Sequence, residues 1–444
     1  MAISRWLLVL VLASCRSEPS APVVAEPAPW SDAWILREGQ RFVGDTAARR
    51  AALEASLTNH ENLYSRQRLS SYALGDRGWD LLPVWNPRSI RVTAPVAASL
   101  ERGDIPELPA AQPPLWDGVA PMTMDGWIAL GRRVFLEYPM RAEVFMEYGL
   151  TDPALAAAVG VEYTADGGVP GLVVFANIDG ETRVGITCAI CHATVKHGEL
   201  VIGAAHRSFD YGRLRVTYDQ IHHTPVNAAL QNRMAHWGPG RADVTEDDDE
   251  DPVTIPDLWG LRAQRWLTQA GTIRQDSPMA LAIRQETQLI DSNHQLIRPP
   301  RELAWALAMF VYSLSPPARA AEPPPLAARG KTVFDAHCKH CHSNAAYGGP
   351  PIAATTIGTD PGLANGRGRG TGAYRAPPLL AVRDGAPYLH QGAVASLLEL
   401  LSPERLAPTY TAGHLGPGPI TGHPAGTSLA ADDRSALLAF LETL

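Results

Sequence analysis

Five cysteines in 444 residues are placed so that few folds remain open to the chain. Cys188, Cys191 and His192 form CAICH, Cys338, Cys341 and His342 form CKHCH, and Cys15 stands alone near the start. Random placement of five cysteines and fourteen histidines would give about 0.002 CxxCH motifs, so two are not an accident. The spacing has a chemical reason. Two thiols one helical turn apart can add to the two vinyl groups of haem, and the next side chain can reach the iron as proximal ligand. A zinc site would need a second ligand pair near each CxxC, and a thioredoxin-type motif needs neither the histidine nor two copies. The cysteines therefore predict two covalently bound haem c groups, attached through Cys188 and Cys191 and through Cys338 and Cys341, with His192 and His342 on the irons.

Composition narrows the rest. Apolar residues make up 45% of the chain, enough for real cores, while 38 glycines and 38 prolines predict long loops between modest helices. A net charge of −8 with no Lys/Arg-rich block excludes a nucleic-acid footprint. The expected fold is mainly α, with two cytochrome c-like haem domains and long loops.

The N-terminus carries an address. Arg5 precedes the apolar stretch Trp6 to Ala13, too short to span a bilayer but suited to an export signal. Leu12-Ala13-Ser14-Cys15 looks like the lipobox of bacterial lipoproteins, in which the signal is cut before an acylated cysteine; a plain signal peptide cut nearby is the alternative. Residues 1–14 are thus expected as signal and 15–45 as lipidated Cys15 plus a Pro/Ala-rich tether. Both features predict the periplasmic side of a bacterial envelope, with a lipid anchor in the outer membrane. Haem attachment outside the cytoplasm agrees.

An internal duplication frames the two motifs. Gly131-Arg132-Arg133-Val134-Phe135 precedes the first and Gly330-Lys331-Thr332-Val333-Phe334 the second. Afterwards Pro256, Leu258, Arg262 and Gly271 recur without gaps as Pro377, Leu379, Arg383 and Gly392. Each half closes with an apolar helix, ending Phe310 to Leu314 and Phe440 to Leu444. The domains read as 46–315, a Pro-rich linker at 316–326, and 327–444. Gly131 lies 57 residues before Cys188 but Gly330 only 8 before Cys338, so the first domain is enlarged by insertions around its haem.

These residues resemble the bacterial di-haem cytochrome c peroxidase superfamily, which also includes MauG-like enzymes and di-haem rubber oxygenases. The resemblance runs from about residue 125 to the end. It rests most on Tyr374 to Pro377 and on Pro387-Tyr388-Leu389-His390-Gln391-Gly392-Ala393-Val394, similar to the family's PYxHDGS segment. The ending Gly422-His423-Pro424-Ala425-Gly426-Thr427 is nearer the rubber-oxygenase branch and uncharacterised di-haem lipoproteins. The chain departs from the peroxidases in lacking their methionine: Glu404 occupies its place and no methionine follows Met309.

The resemblance implies that haem 1 carries chemistry while haem 2 exchanges electrons with a small cytochrome or cupredoxin. For haem 2 it points to His423 as sixth ligand, with His390 and His414 as alternatives. For haem 1 it points to His206 as distal ligand or gate; the alternatives are that His206 is a surface-loop residue and that the site is open or water-bound. Trp237 resembles an inter-haem tryptophan, with Trp259 and Trp266 as competitors and core packing as the plain alternative. Arg241, Arg262 and Arg383 are candidates for haem propionates. Two functions follow: an enzyme whose haem 1 takes peroxide or dioxygen, or an electron-transfer lipoprotein with two six-coordinate haems. The acidic run Glu246 to Asp251 is either a solvated loop or a calcium or partner site. Gly366 to Gly372 follows no strand, so a nucleotide loop is rejected.

Overall fold

The computed structural model describes residues 26–71, 78–243, 245, 247, 249, 251–318 and 324–444. Its helices used below are, in chain order, α1 (Asp32–Gly44), α2 (Thr46–Ser56), α3 (Met124–Glu137), α4 (Val144–Leu150), α5 (Ala189–His192), α6 (Tyr211–Ile221), α7 (Met279–Asn293), α8 (Arg301–Ser313), α9 (Ala327–His337) and α10 (Ala431–Leu441). Helix predominates. The main sheet has four short antiparallel strands in the order β1 (Ser89–Arg91), β3 (Leu172–Ala176), β4 (Thr182–Ile186), β2 (Arg141–Ala142), all within the first half. The insertion before Cys188 therefore builds sheet and helix around the first CxxCH motif. No helix among the described residues is long and apolar enough to cross a membrane.

The tether expected up to residue 45 ends earlier. Ser31 caps α1 by accepting from the Trp34 amide, and Ile35 and Phe42 on its inner face are buried in the main core. Phe42 stacks on Trp305 of α8 at 5.8 Å, and a Cβ on Gly39 would lie 2.6 Å from that indole. Pro/Ala-rich composition stops at Pro29, and the amphipathic spacing that follows is what folds. The signal peptide and Cys15 lie outside the described residues.

The duplicated frame is a duplicated packing unit. α3 crosses α8 and α9 crosses α10, each pair touching through a glycine. A Cβ on Gly131 would sit 1.9 Å from the Ala306 carbonyl oxygen and 2.7 Å from Phe310 Cβ; on Gly330 the distances to Ala436 and Phe440 are the same 1.9 and 2.7 Å. Only glycine allows backbones so close. The aromatic partners repeat as well, Phe135 with Phe310 at 5.4 Å and Phe334 with Phe440 at 5.3 Å.

The segments after each haem motif also match, and they pair across a local two-fold axis. Gly260 and Ala381, 121 residues apart, are both left-handed and both open a short 3-10 turn, Leu261–Ala263 and Val382–Asp384. Thr268 and Leu389 repeat the pattern at φ 70° and 67°. Between the halves, the Thr254 amide donates to the His390 carbonyl at 2.8 Å while the Arg375 amide donates to the Gln269 carbonyl at 3.0 Å. Each bond is the other's image at that offset. The halves are thus docked edge to edge, and buried clusters such as Trp259 with Ala204 and Ala381 contain residues of both.

The Gly366 to Gly372 loop has a structural role here. Its carbonyls at Arg367 and Gly368 accept the Leu63 and Tyr64 amides, and Gly370 accepts Asn59 Nδ2, so it fastens the N-terminal segment to the second half.

Candidate haem sites

Site 1 is built on α5, a single turn that carries Ala189 to His192 directly after Cys188. His192 Nδ1 faces the Pro256 carbonyl at 3.1 Å, and desolvation pushes its pKa down to about 4. A neutral imidazole facing a carbonyl with Nδ1 must carry its proton there. The Nε2 lone pair is then free for iron. Burial pushes the Cys188 and Cys191 thiols up to about 12 and about 11, and neither is in a disulfide.

Site 2 repeats this arrangement. His342 Nδ1 faces the Tyr347 carbonyl at 2.6 Å, the Pro377 carbonyl is also near, and burial lowers its pKa. Pro256 and Pro377 are the duplicated prolines, so the repeat places the same backbone carbonyl against each proximal histidine. Opposite His342 stands His423, with ring centroids 6.4 Å apart and planes inclined at 66°. Two metal–imidazole bonds of about 2 Å, extended to the ring centres, span about 6 Å, so an iron fits between these rings. His423 Nδ1 is buried without a hydrogen-bond partner among the described residues.

The loop bearing His423 is shaped by a residue that sequence reading missed. Arg405, fully buried, donates to the carbonyls of Leu400, Ile420, Gly422 and His423 at 2.6 to 3.0 Å. A planar guanidinium with five donors can gather four carbonyls in this way; a lysine cannot. Gly422 adopts φ 90° with a would-be Cβ 2.5 Å from Thr359 Cβ, and His423 itself is left-handed at φ 46°. The signal available in sequence was only an arginine beside Glu404, which is exposed and bonds to Ser402.

The other histidines are accounted for. His390 Nε2 is hydrogen-bonded to the Tyr374 hydroxyl at 3.1 Å, with the rings stacked at 4.2 Å, and His414 is exposed. His206 is buried, but Nδ1 faces the Ile190 carbonyl at 2.8 Å and Nε2 the Gly160 carbonyl at 3.0 Å, so no ring nitrogen is turned to an iron. The expected ligand or gate is instead a clasp on the CxxCH turn, whose Cys191 carbonyl also accepts the His206 amide. His60, His197, His222, His223, His236, His294, His337 and His340 are all exposed. Site 2 thus has a candidate ligand histidine on each side, whereas His192 is the one histidine at site 1 with a ring nitrogen available to an iron.

Other expectations change too. Trp237 packs against Val216 and Met234 inside the first half, as a core residue, whereas Trp259 lies in the cluster that joins the halves. Arg241 donates to the Trp237 and Pro252 carbonyls, Arg262 to Trp30 and Asp32, and Arg383 lies 3.7 Å from Asp384. Among the described residues no group of three or more His, Cys, Asp and Glu side chains could hold a metal ion, and Glu246, Asp248 and Glu250 of the acidic run lie outside the described residues. Asp247 there accepts the Gly368 amide.

Comparison with known proteins finds a family match in the second half. Residues 373–411 match a protein family described as RoxA-like, cytochrome c-like. No curated protein matches the chain. Among solved structures, a MauG-like protein associated with microbial copper homeostasis is 20% identical, with a TM-score of 0.31 over 47% of this chain and 78% of its own. The chain is mainly helical, and its residues 373–411 are similar to a cytochrome c-like domain.

Proposed function

We propose that this protein is an exported di-haem cytochrome in which haem 1 reacts with peroxide or dioxygen and haem 2 passes electrons. The observation that carries the reading is the histidine count. His342 and His423 would close the iron of haem 2 on both faces, whereas His192 is the single histidine offered to haem 1. A bound haem supplies redox chemistry at its iron. Cys188, Cys191, Cys338 and Cys341 would hold the two macrocycles, and the carbonyls of Pro256 and Tyr347 orient the proximal rings. Trp259 lies three residues after Pro256 and packs on Leu380 and Ala381, close after Pro377, so its ring bridges the two proximal segments. It replaces Trp237 as the inter-haem candidate.

Family placement follows the same residues. The 373–411 match and the CxxCH pair support the di-haem cytochrome c peroxidase and MauG-like superfamily, with the rubber-oxygenase branch nearest at the C-terminus. Electrons would reach haem 2 from a small cytochrome or cupredoxin, and acylated Cys15 would anchor the protein at the outer membrane facing the periplasm.

Carbon monoxide titration of the reduced holoprotein tests this reading. One of two haems should bind the gas in wild type and both in His423→Ala. If neither haem binds it in wild type, both irons are closed and the protein is an electron carrier.

A further inference from the structure

Beyond the CxxCH turn of site 1 lies a row of aromatic rings that the reading above does not use. His206, clasped to the Ile190 carbonyl, stacks on Phe209 at 5.3 Å and 18°, and Phe209 lies 6.0 Å from Tyr211 at the start of α6. Tyr211 and Cys191 pack on the same apolar cluster. From Tyr211 the row continues to Phe145 of α4 at 6.3 Å, then Tyr218 at 5.0 Å, then the exposed His222, stacked on Tyr218 at 4.2 Å. Tyr148 closes the outer end, 5.7 Å from Tyr218 and 5.2 Å from His222. The rings thus run from the haem 1 attachment to the surface of α4 and α6.

The inner tyrosine is equipped to lose an electron. Its hydroxyl donates to Glu143 Oε2 at 3.0 Å and accepts from Arg141 Nη2 at 2.6 Å. Glu143 is buried and paired with Arg141 at 2.7 Å. A phenol oxidised without losing its proton would be a cation in an apolar site, and the Arg215 guanidinium, 5.9 Å from the Tyr211 ring and 5.3 Å from Phe145, would oppose it. Transfer of the proton to Glu143 leaves both the phenoxyl and the carboxyl neutral, which removes that penalty.

We infer that Tyr211 and Tyr218, bridged by Phe145, form an electron relay by which haem 1 draws single electrons from phenolic donors at the Tyr148, Tyr218 and His222 surface. The inference rests on haem 1 reacting with peroxide. In each pass Tyr211 gives an electron toward haem 1 and its proton to Glu143. Tyr218 then returns an electron to Tyr211 as Glu143 returns the proton, and Tyr218 exchanges its own proton with solvent. The donor phenol replaces the Tyr218 electron and releases one proton to solvent, from which the peroxide takes up one. Two passes balance one peroxide: H2O2 and two phenols give two waters and two phenoxyl radicals.

The test does not depend on peroxide. A photo-oxidant ruthenium complex is coordinated to surface histidines of the His223→Gln holoprotein, the species that peptide mapping shows to be labelled at His222 alone is purified, and flash-generated ruthenium(III) oxidises reduced haem 1. The relay predicts a transient tyrosyl absorption and a rate at least tenfold lower in both Tyr218→Phe and Tyr211→Phe. The Tyr218 hydroxyl has no hydrogen-bond partner among the described residues, so its removal leaves the fold intact. Rates unchanged in both variants, with native haem spectra, overturn the relay. Tyrosine-dependent rates with a haem 1 inert to hydrogen peroxide would refute the peroxide reading and the phenol-oxidising role while leaving the electron path standing. Peroxide-driven guaiacol oxidation that is insensitive to Tyr218→Phe overturns the phenolic donor surface.

Discussion

At the scale of single residues, the two sites differ in what backs each histidine. His206 is held by two carbonyls of the site 1 loops, so His206→Ala should cost about 1–3 kcal/mol in denaturant unfolding by orphaning them. The haem 1 spin state should stay as in wild type; a change of spin state would restore His206 as a ligand. Arg405 holds the His423 loop through four carbonyls. Arg405→Lys should loosen His423 and convert part of haem 2 from low to high spin in the optical spectrum, whereas His390→Ala should leave haem 2 low-spin. The proximal residues were legible because their chemistry lies within five consecutive residues. His206 was misread because fourteen residues past His192 fits a ligand by distance along the chain, whereas its two carbonyl partners come from the turn at Gly160 and the CxxCH turn itself. Arg405 was invisible because its partners are backbone atoms, which leave no mark in the sequence.

At the scale of elements, the duplicated helix pairs make a symmetrical prediction. Gly131→Ala and Gly330→Ala each force a Cβ to 1.9 Å from a carbonyl oxygen of the crossing helix. Each should destabilise its half by at least about 1–3 kcal/mol, read as a lowered thermal midpoint. A substitution that leaves the midpoint unchanged would mean the helices do not cross through glycine. The acidic loop gives a pH dependence. Burial first, then Asp243, Asp247 and Asp249, push Asp251 up to about 7. A carboxyl whose pKa is raised on folding binds more protons in the folded state, so its contribution falls as pH rises from about 4 to about 7. Asp251→Asn should therefore raise the melting temperature at pH 8 and change it little at pH 4; an equal shift at both would contradict the assignment. The helix pairs were legible because repeated GxxxF spacing reports repeated packing. The reach of α1 into the core was not, because a Pro-rich start masks the amphipathic spacing beyond Pro29.

At the scale of the whole molecule, the two halves share one plan and differ where the chain has been enlarged. The shared Pro256 and Pro377 carbonyls give both proximal histidines the same support, while the C-terminal loop places a second histidine over site 2 alone. The Thr254 to His390 and Arg375 to Gln269 bonds dock the halves so that Trp259 lies between the proximal segments. The docking was not legible in the sequence, since the same family histidine that suggested a ligand, His390, serves the seam through its carbonyl and Tyr374 through its ring. Cys15 sets the expected location: Cys15→Ala should release the protein from the membrane fraction, and equal retention with acylation would refute the anchor.

Inequivalence of the two irons is the central claim, and low-temperature electron paramagnetic resonance of the fully oxidised holoprotein tests it most directly. The account predicts one high-spin ferric signal from haem 1 and one low-spin bis-histidine signal from haem 2. Imidazole planes inclined at 66° should make the latter strongly anisotropic, with a large maximal g value. Two low-spin signals of equal intensity, neither of them displaced by cyanide, would contradict the account.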